Sequence, residues 1–110
     1  MSAFGLIIFG DLMHFAGTAP DTTPATLDVN PEAMRLDLAI FDNTALVQFS
    51  KDGRNFSSPR EFPAGIIASL DLRVRKIAIV NKTVASPARY DITAYFDPIL
   101  IQGRQYVRQP

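Results

Sequence analysis

The segment Leu46-Val-Gln-Phe-Ser-Lys-Asp-Gly-Arg-Asn-Phe56 combines a strand pattern with a tight reversal. Val47 and Phe49 fall on one face of an extended chain, which is typical of a half-buried strand. Asp52-Gly53 tolerates the positive φ angles that tight connections require. The segment therefore predicts a hairpin whose second strand begins near Asn55-Phe56.

Period-two alternation recurs on both sides of this hairpin. The alternating apolar positions are Met34, Leu36, Leu38 and Ile40 before it, and Tyr90, Ile92, Ala94 and Phe96 after it. Between them, residues 66–80 change parity near Arg75-Lys76, which predicts a bulge or a turn. About seven or eight short strands with turn signals between them, and no convincing helix, predict an all-β fold. We expect a single antiparallel β-sandwich or a small barrel.

The turn residues divide the chain into four parts. Residues 1–16 form an apolar element, either an arm that adds a strand to a neighbouring subunit or the first strand of the same sandwich. Residues 17–33 are a connector rich in Pro and Thr, residues 34–101 the sandwich core and residues 102–110 a carboxyl-terminal tail. A chain of 110 residues without cysteine is one domain, which we expect to fold without metal or disulfide.

Charge is distributed unevenly, although the formal net charge is zero. Four acidic and no basic residues precede Arg35, so the remainder, with eleven basic and seven acidic residues, carries about +4. The two parts should attract each other, either within one subunit or head-to-tail between subunits in a salt-dependent way. The tail, with two arginines and no acid, would suit an acidic partner surface.

The apolar amino terminus does not predict a targeting segment. It has no basic n-region, and Asp11 interrupts it, so we expect no secretory signal. No apolar run reaches the about 18 residues that a membrane-spanning helix needs. We expect synthesis in the cytoplasm and no membrane partner.

Candidate catalytic and metal-binding residues are few. His14 is the only histidine, which allows one Ser–His arrangement at most and no multi-histidine metal site. We predict a packed or surface side chain there. Asp52, Asp71 and Asp91 lie at separate strand or turn positions without calcium-loop spacing. We therefore expect no catalytic residue, no metal and no cofactor, and predict that the protein is not an enzyme.

Nucleic acid is a further partner to consider, because basic and aromatic residues occur close together in the sequence. These residues are Arg73, Arg75, Lys76, Arg89, Tyr90 and Tyr95. Strand alternation places Arg73 and Arg75 on the solvent face opposite Leu72 and Val74. We therefore do not expect nucleic acid to be a partner.

Three segments resemble small β-sandwich proteins and modules of bacteriophage virions. They are residues 47–56 with the Pro-Ala-Gly turn that follows, Val74-Arg-Lys-Ile-Ala-Ile-Val-Asn81, and Ala88-Arg-Tyr-Asp-Ile-Thr-Ala-Tyr95. The resemblance implies a decoration, minor capsid, head-fibre or tail-associated structural protein. Such a protein is oligomeric, acts without catalysis, resides in the virion and has itself or other virion proteins as partners.

The hairpin Ser50-Lys-Asp-Gly-Arg-Asn-Phe56 is also similar to the S-x-D-G-x-x-[WF] hairpin of discoidin-type sugar- or lipid-binding sandwiches. That resemblance implies ligand-binding loops. A carbohydrate-binding or adhesion module that uses the loops around Asp52 and Asn81 is therefore the alternative function.

The sandwich core does not explain the two ends of the chain, so the predicted interactions lie there. The apolar first element and the basic tail are expected to contact partner subunits. The predicted interaction residues are Phe4, Ile7, Phe9, Phe15, Arg104, Tyr106 and Arg108.

Overall fold

A computed structural model describes residues 12–96, and these form a seven-stranded antiparallel sheet. The strands are β1 (Leu12–Thr18), β2 (Ala25–Phe41), β3 (Ala45–Ser50), β4 (Arg60–Phe62), β5 (Ile67–Leu70), β6 (Val74–Asn81) and β7 (Arg89–Phe96). The prediction of an all-β antiparallel fold is confirmed. Within this part of the chain no helix is long and apolar enough to cross a membrane.

The long strand β2 belongs to both halves of the sheet. Residues 25–33 pair with β6, whereas residues 33–41 pair with β7 on one edge and with β5 on the other. The pairing register shifts between Asp28 and Ala33, and such irregularities bend a strand. The strand orders are β1-β7-β2-β5 in one half and β2-β6-β3-β4 in the other. Counting the two parts of β2 separately, this is the connectivity of an eight-stranded jelly roll.

Inward side chains from both halves form one hydrophobic cluster. They point inward because successive side chains of a strand face opposite sides of the sheet. The largest fully buried apolar side chains are Val29, Leu36, Leu38, Ile40, Val47, Val74, Ile77, Ile79 and Ile92. The space between the two halves is therefore occupied by aliphatic side chains.

Two details of β2 differ from the sequence-based expectation. Residues 25–33, predicted as connector, are strand, because Leu27 and Val29 continue the inward alternation among Thr, Asp and Pro residues. Met34, predicted to face inward, is 41% exposed. The register shifts between Ala33 and Arg35, so that Ala33 takes the buried position instead.

The first described strand is part of the same sandwich. β1 pairs with β7 of its own chain, from Leu12 opposite Tyr95 to Thr18 opposite Arg89. The rest of the predicted amino-terminal element, residues 1–11, and the predicted tail lie outside the described residues.

Three connections meet at one end of the sandwich. Ala33 pairs with Val74, and Ser50 pairs with Lys76, so the bend of β2, the turn after β3 and the link from β5 to β6 are neighbours. Residues 51–55 form the turn, and residues 71–73 form the link. This end of the sandwich positions the candidate site.

Candidate functional site

Asp52 organises the turn that follows β3. Its Oδ1 accepts the backbone N–H groups of Arg54 and Asn55, each at 2.8 Å, and its Oδ2 accepts the Asn55 side-chain amide at 2.8 Å. The backbone N–H groups of Asn55 and Arg54 are the main reason that the pKa of the Asp52 carboxyl lies well below its usual range. Gly53 has a φ of +83°, as the predicted reversal requires. The predicted reversal is present, and Phe56 forms an isolated bridge with Ser50, but the second strand, β4, begins at Arg60 rather than near Asn55-Phe56. The turn places Lys51 directly after β3.

Asn81 holds the loops at the opposite end of the sandwich. It is 4% exposed, its side-chain amide donates to Asp21 Oδ1 at 2.8 Å, and its Oδ1 accepts the Ala88 N–H at 2.9 Å. The Asn81 and Asp52 side chains thus both make hydrogen bonds to groups of their own chain. The carbohydrate-binding alternative would use the loops around these two residues.

The single histidine lies on the outer face of β1, at the surface, as predicted. His14 Nε2 is 2.8 Å from Asp91 Oδ1, and the two side chains are 51% and 48% exposed. Water screens a pair that is half exposed, so its contribution to stability is small.

A second polar cluster lies on the same outer face. Asp37 accepts hydrogen bonds from the Ser69 hydroxyl at 2.7 Å and from Arg35 at 3.2 Å. The Ser69 hydroxyl is the main reason that the pKa of the Asp37 carboxyl is lowered. Asp37 in turn raises the pKa of the Tyr95 phenol. The Arg35 guanidinium lies 4.5 Å from the centroid of the Tyr95 ring and covers one face of it, and Tyr90 is buried and offers no face to a stacked base.

The ion pairs among residues 12–96 leave four basic residues without a carboxylate partner. The paired cationic side chains are His14, Arg35, Arg73, Lys76, Lys82 and Arg89. The remaining basic residues of this part of the chain are Lys51, Arg54, Arg60 and Arg75. All four lie in residues 51–60 or at the start of β6. Two carboxylates outside these ion pairs, Asp52 and Asp71, lie at the same end of the sandwich, so four cations face two anions and this end carries an excess of positive charge.

An open cleft lies between β5 and the connection from β3 to β4. We call it the seam cleft; its volume is about 470 Å³. Its apolar floor consists of Phe49, Leu70 and Leu72, and its rim carries Lys51, Arg60 and Arg73. Leu70 and Leu72 are half-buried and pack against the core. The seam cleft thus combines apolar contact area with positive charge.

A second groove lies on the other side of Lys51. It has a volume of about 660 Å³ and is lined by Lys51 and Arg75, with Glu32 and Asp52 contributing negative charge. Glu32 is paired with Arg73 at 3.4 Å. Because Lys51 lines both openings, it is the cation that connects them.

One of the predicted interaction residues, Phe15, lies within the described part of the chain. It is half-buried on β1 and packs against the core. The others, Phe4, Ile7, Phe9, Arg104, Tyr106 and Arg108, lie outside the described residues. Sequence reasoning missed Lys51 and Arg60 because it considered residues 51–60 for turn geometry alone. The available signal was three basic residues and one acidic residue in that segment.

The fold is similar to that of known structures, whereas no protein-family model and no curated protein matches the sequence. One similar structure is an RmlC-like cupin family protein with a double-stranded β-helix fold from Methanocaldococcus jannaschii. The TM-score is 0.55 at 13% identity, over 84% of this chain and 77% of that one. Another is FeII HppE, with a TM-score of 0.55 at 10% identity, over 77% of this chain and 44% of that one. At such identities the likeness shows the fold alone.

The similarity to an iron(II)-containing structure raises the question of a metal site between the two halves of the sheet. Imidazole and carboxylate groups are the side chains that bind such a metal. The largest buried side chains between the halves are aliphatic, and His14 lies on the outer face. Residues 12–96 contain no group of three or more His, Cys, Asp or Glu side chains that could hold a metal ion. The described residues do not fit an interior iron centre.

The prediction that the protein is not an enzyme is corrected. That prediction depended on the absence of a catalytic motif and on the implied virion role. The fold proves to be similar to that of a cupin family protein and to that of part of FeII HppE. An all-β fold of this kind supports catalysis in other proteins, so the fold class gives no ground for excluding it.

Proposed function

We propose that this protein is a structural subunit that assembles with copies of itself, as part of a larger protein shell. The observation that carries the proposal is the free edge of β5. Among the described residues, β5 pairs with β2 alone, and its first residue, Ile67, is 76% exposed.

An exposed apolar edge strand favours association because its unpaired backbone groups can continue the sheet into another chain. Natural proteins protect such edges by covering, charging or shortening them, and β5, with four residues, is short but carries no charged side chain. Here the neighbouring Ile66 adds a second exposed apolar side chain, 44% accessible. The β5 edge therefore combines backbone hydrogen-bonding capacity with apolar area.

The filled interior supports a function at the outer surface. The groups between the two halves are mainly aliphatic, so binding groups lie on the outer faces and at the ends of the sandwich. Jelly rolls occur in viral capsids as well as in lectins and cupins. The virion as the larger shell, implied by the resemblance of residues 47–56, 74–81 and 88–95, stays a prediction.

Light scattering coupled to size-exclusion chromatography tests the proposal. We expect a mass that rises above that of the monomer with concentration, and Ile67→Lys should return the protein to monomer because it places a charge on the edge strand. The matched control is Val84→Lys, which changes another exposed apolar residue, 61% accessible, in the loop between β6 and β7. A wild-type protein that stays monomeric at high concentration and low salt would contradict the proposal, as would equal effects of the two variants.

A further inference from the structure

We propose that the seam cleft binds an acidic, extended peptide segment of a partner subunit, which adds a strand to the free edge of β5. This inference rests on the proposed function, because it assigns a partner chemistry to the same edge.

The charged residues that line the seam cleft indicate the charge of the partner. Lys51 and Arg60 line the seam cleft, and no carboxylate among residues 12–96 is paired with them. The Arg60 guanidinium lies 5.7 Å from the Phe62 ring centroid, a contact with the ring face that leaves its N–H groups able to donate to a carboxylate. The acidic residue that lines the cleft is Asp71, on the link from β5 to β6. Arg73, on the same link, is paired with Glu32, so acidic partner side chains should lie toward Lys51 and Arg60 and away from Asp71.

The apolar floor indicates which residues of the partner peptide should be apolar. Side chains of an added strand alternate between its two faces, so every second residue can reach the floor formed by Phe49, Leu70 and Leu72. The intervening residues then point toward the charged rim. A segment in which acidic and apolar residues alternate satisfies both surfaces at once.

The backbone of β5 favours a peptide over a nucleic acid. Ser69 and Leu70 belong to β5 and line the cleft, so the cleft borders a strand with an edge that no other strand of residues 12–96 pairs. Only a peptide can continue the ladder of backbone hydrogen bonds. Single-stranded nucleic acids instead stack on exposed aromatic rings, and the aromatic residue that lines the cleft, Phe49, is 8% exposed.

Fluorescence anisotropy with labelled probes tests the inference. The probe is a blocked peptide of about eight residues in which Asp and Val alternate, long enough to span a strand. Two matched probes replace Asp by Lys, or carry N-methyl groups on every second backbone nitrogen. A single-stranded oligonucleotide of similar length tests the other class of polyanion. We expect the unmodified acidic peptide to bind more tightly than the Lys peptide, the N-methylated peptide and the oligonucleotide. Its affinity should decrease as salt is added.

The protein variants separate the cleft from general electrostatic attraction. Lys51→Gln with Arg60→Gln should weaken binding of the acidic peptide about tenfold, the effect expected from two exposed charge contacts. The control variant Lys82→Gln with Arg89→Gln removes the same net charge at sites outside the cleft, and binding should change less than about twofold. Circular dichroism of each variant checks that the fold is retained.

Each remaining outcome overturns the inference. If both double variants lose the same affinity for the acidic peptide, the peptide is attracted by net charge and not by the cleft. If the N-methylated peptide binds as tightly as the unmodified one, strand addition is excluded. Tighter binding of the oligonucleotide would assign the cleft to nucleic acid. The outcome is separable from that of the proposed function. Self-association without peptide binding would support the proposed function and reject the peptide site. Peptide binding by a protein that stays monomeric would support the peptide site and reject self-assembly.

Discussion

The side-chain amide of Asn81 donates a hydrogen bond to Asp21 Oδ1 at 2.8 Å, joining residues 60 positions apart in sequence. Asp21 Oδ1 also accepts the Ala85 N–H at 3.1 Å, and the Asn81 N–H donates to the Pro20 carbonyl at 2.8 Å. The connection from β1 to β2 and the loop from β6 to β7 are therefore tied together through one buried side chain. This tie fixes the end of the sandwich opposite the seam cleft.

Removal of the Asn81 side chain should destabilise the fold. In Asn81→Ala, the buried Ala88 N–H loses its acceptor and Asp21 loses a donor. We expect the free energy of unfolding to decrease by about 1–3 kcal/mol, measured by urea denaturation. The control is Asn43→Ala, which removes an exposed bond to the Pro87 carbonyl and should cost less than about 1 kcal/mol. Equal costs would mean that the buried position of Asn81 does not matter.

Replacement of the turn carboxylate should make stability less dependent on pH in acid. The pKa of Asp52 is lower in the folded state, so its ionised form stabilises the fold above the unfolded pKa of about 3.9. This contribution is lost as the pH falls through the folded pKa. Asp52→Asn keeps an acceptor but not the charge, so the variant should be less stable than wild type at neutral pH. The difference should shrink in acid. Urea denaturation at several pH values measures it, and a constant difference would contradict the assignment.

The approach of Tyr90 to Gly17 can be tested by a double-mutant cycle. A Cβ at Gly17 would lie 2.8 Å from the Tyr90 hydroxyl oxygen, which is too close. Gly17→Ala should therefore cost about 1–3 kcal/mol in wild type and less in the Tyr90→Phe background, with a coupling above about 0.5 kcal/mol. Gly53→Ala is the control, since nothing lies within 4 Å of its Cβ position and its cost comes from the φ of +83°. That cost should be the same in both backgrounds. Additive effects at Gly17 would contradict the close approach.

Local patterns of the sequence predicted the strands but not their arrangement. The alternation of Tyr90, Ile92, Ala94 and Phe96 is a property of adjacent residues, and all four are buried. The jelly-roll connectivity depends on pairings such as Leu12 with Tyr95, between residues far apart in sequence, which no local pattern encodes.

The seam cleft could not be predicted for a similar reason. Lys51 and Arg73 flank it, but they come from different connections that only the folded sheet brings together. The first part of β2 was missed because its Thr, Asp and Pro residues are typical of a loop. Its strand conformation is decided by tertiary pairing with β6 rather than by intrinsic propensity.

The packed interior leads to a further prediction. Ile92 is fully buried in β7, within the cluster that both halves of the sheet share. Ile92→Ala should decrease the free energy of unfolding by about 2–5 kcal/mol, because it removes buried methyl groups and leaves a cavity. The control is Ile67→Ala at a position that is 76% exposed, where the change should be within about 0.5 kcal/mol. Urea denaturation of the monomeric fraction measures both. A cost below about 1 kcal/mol for Ile92→Ala would mean that the interior is loosely packed and can admit a ligand.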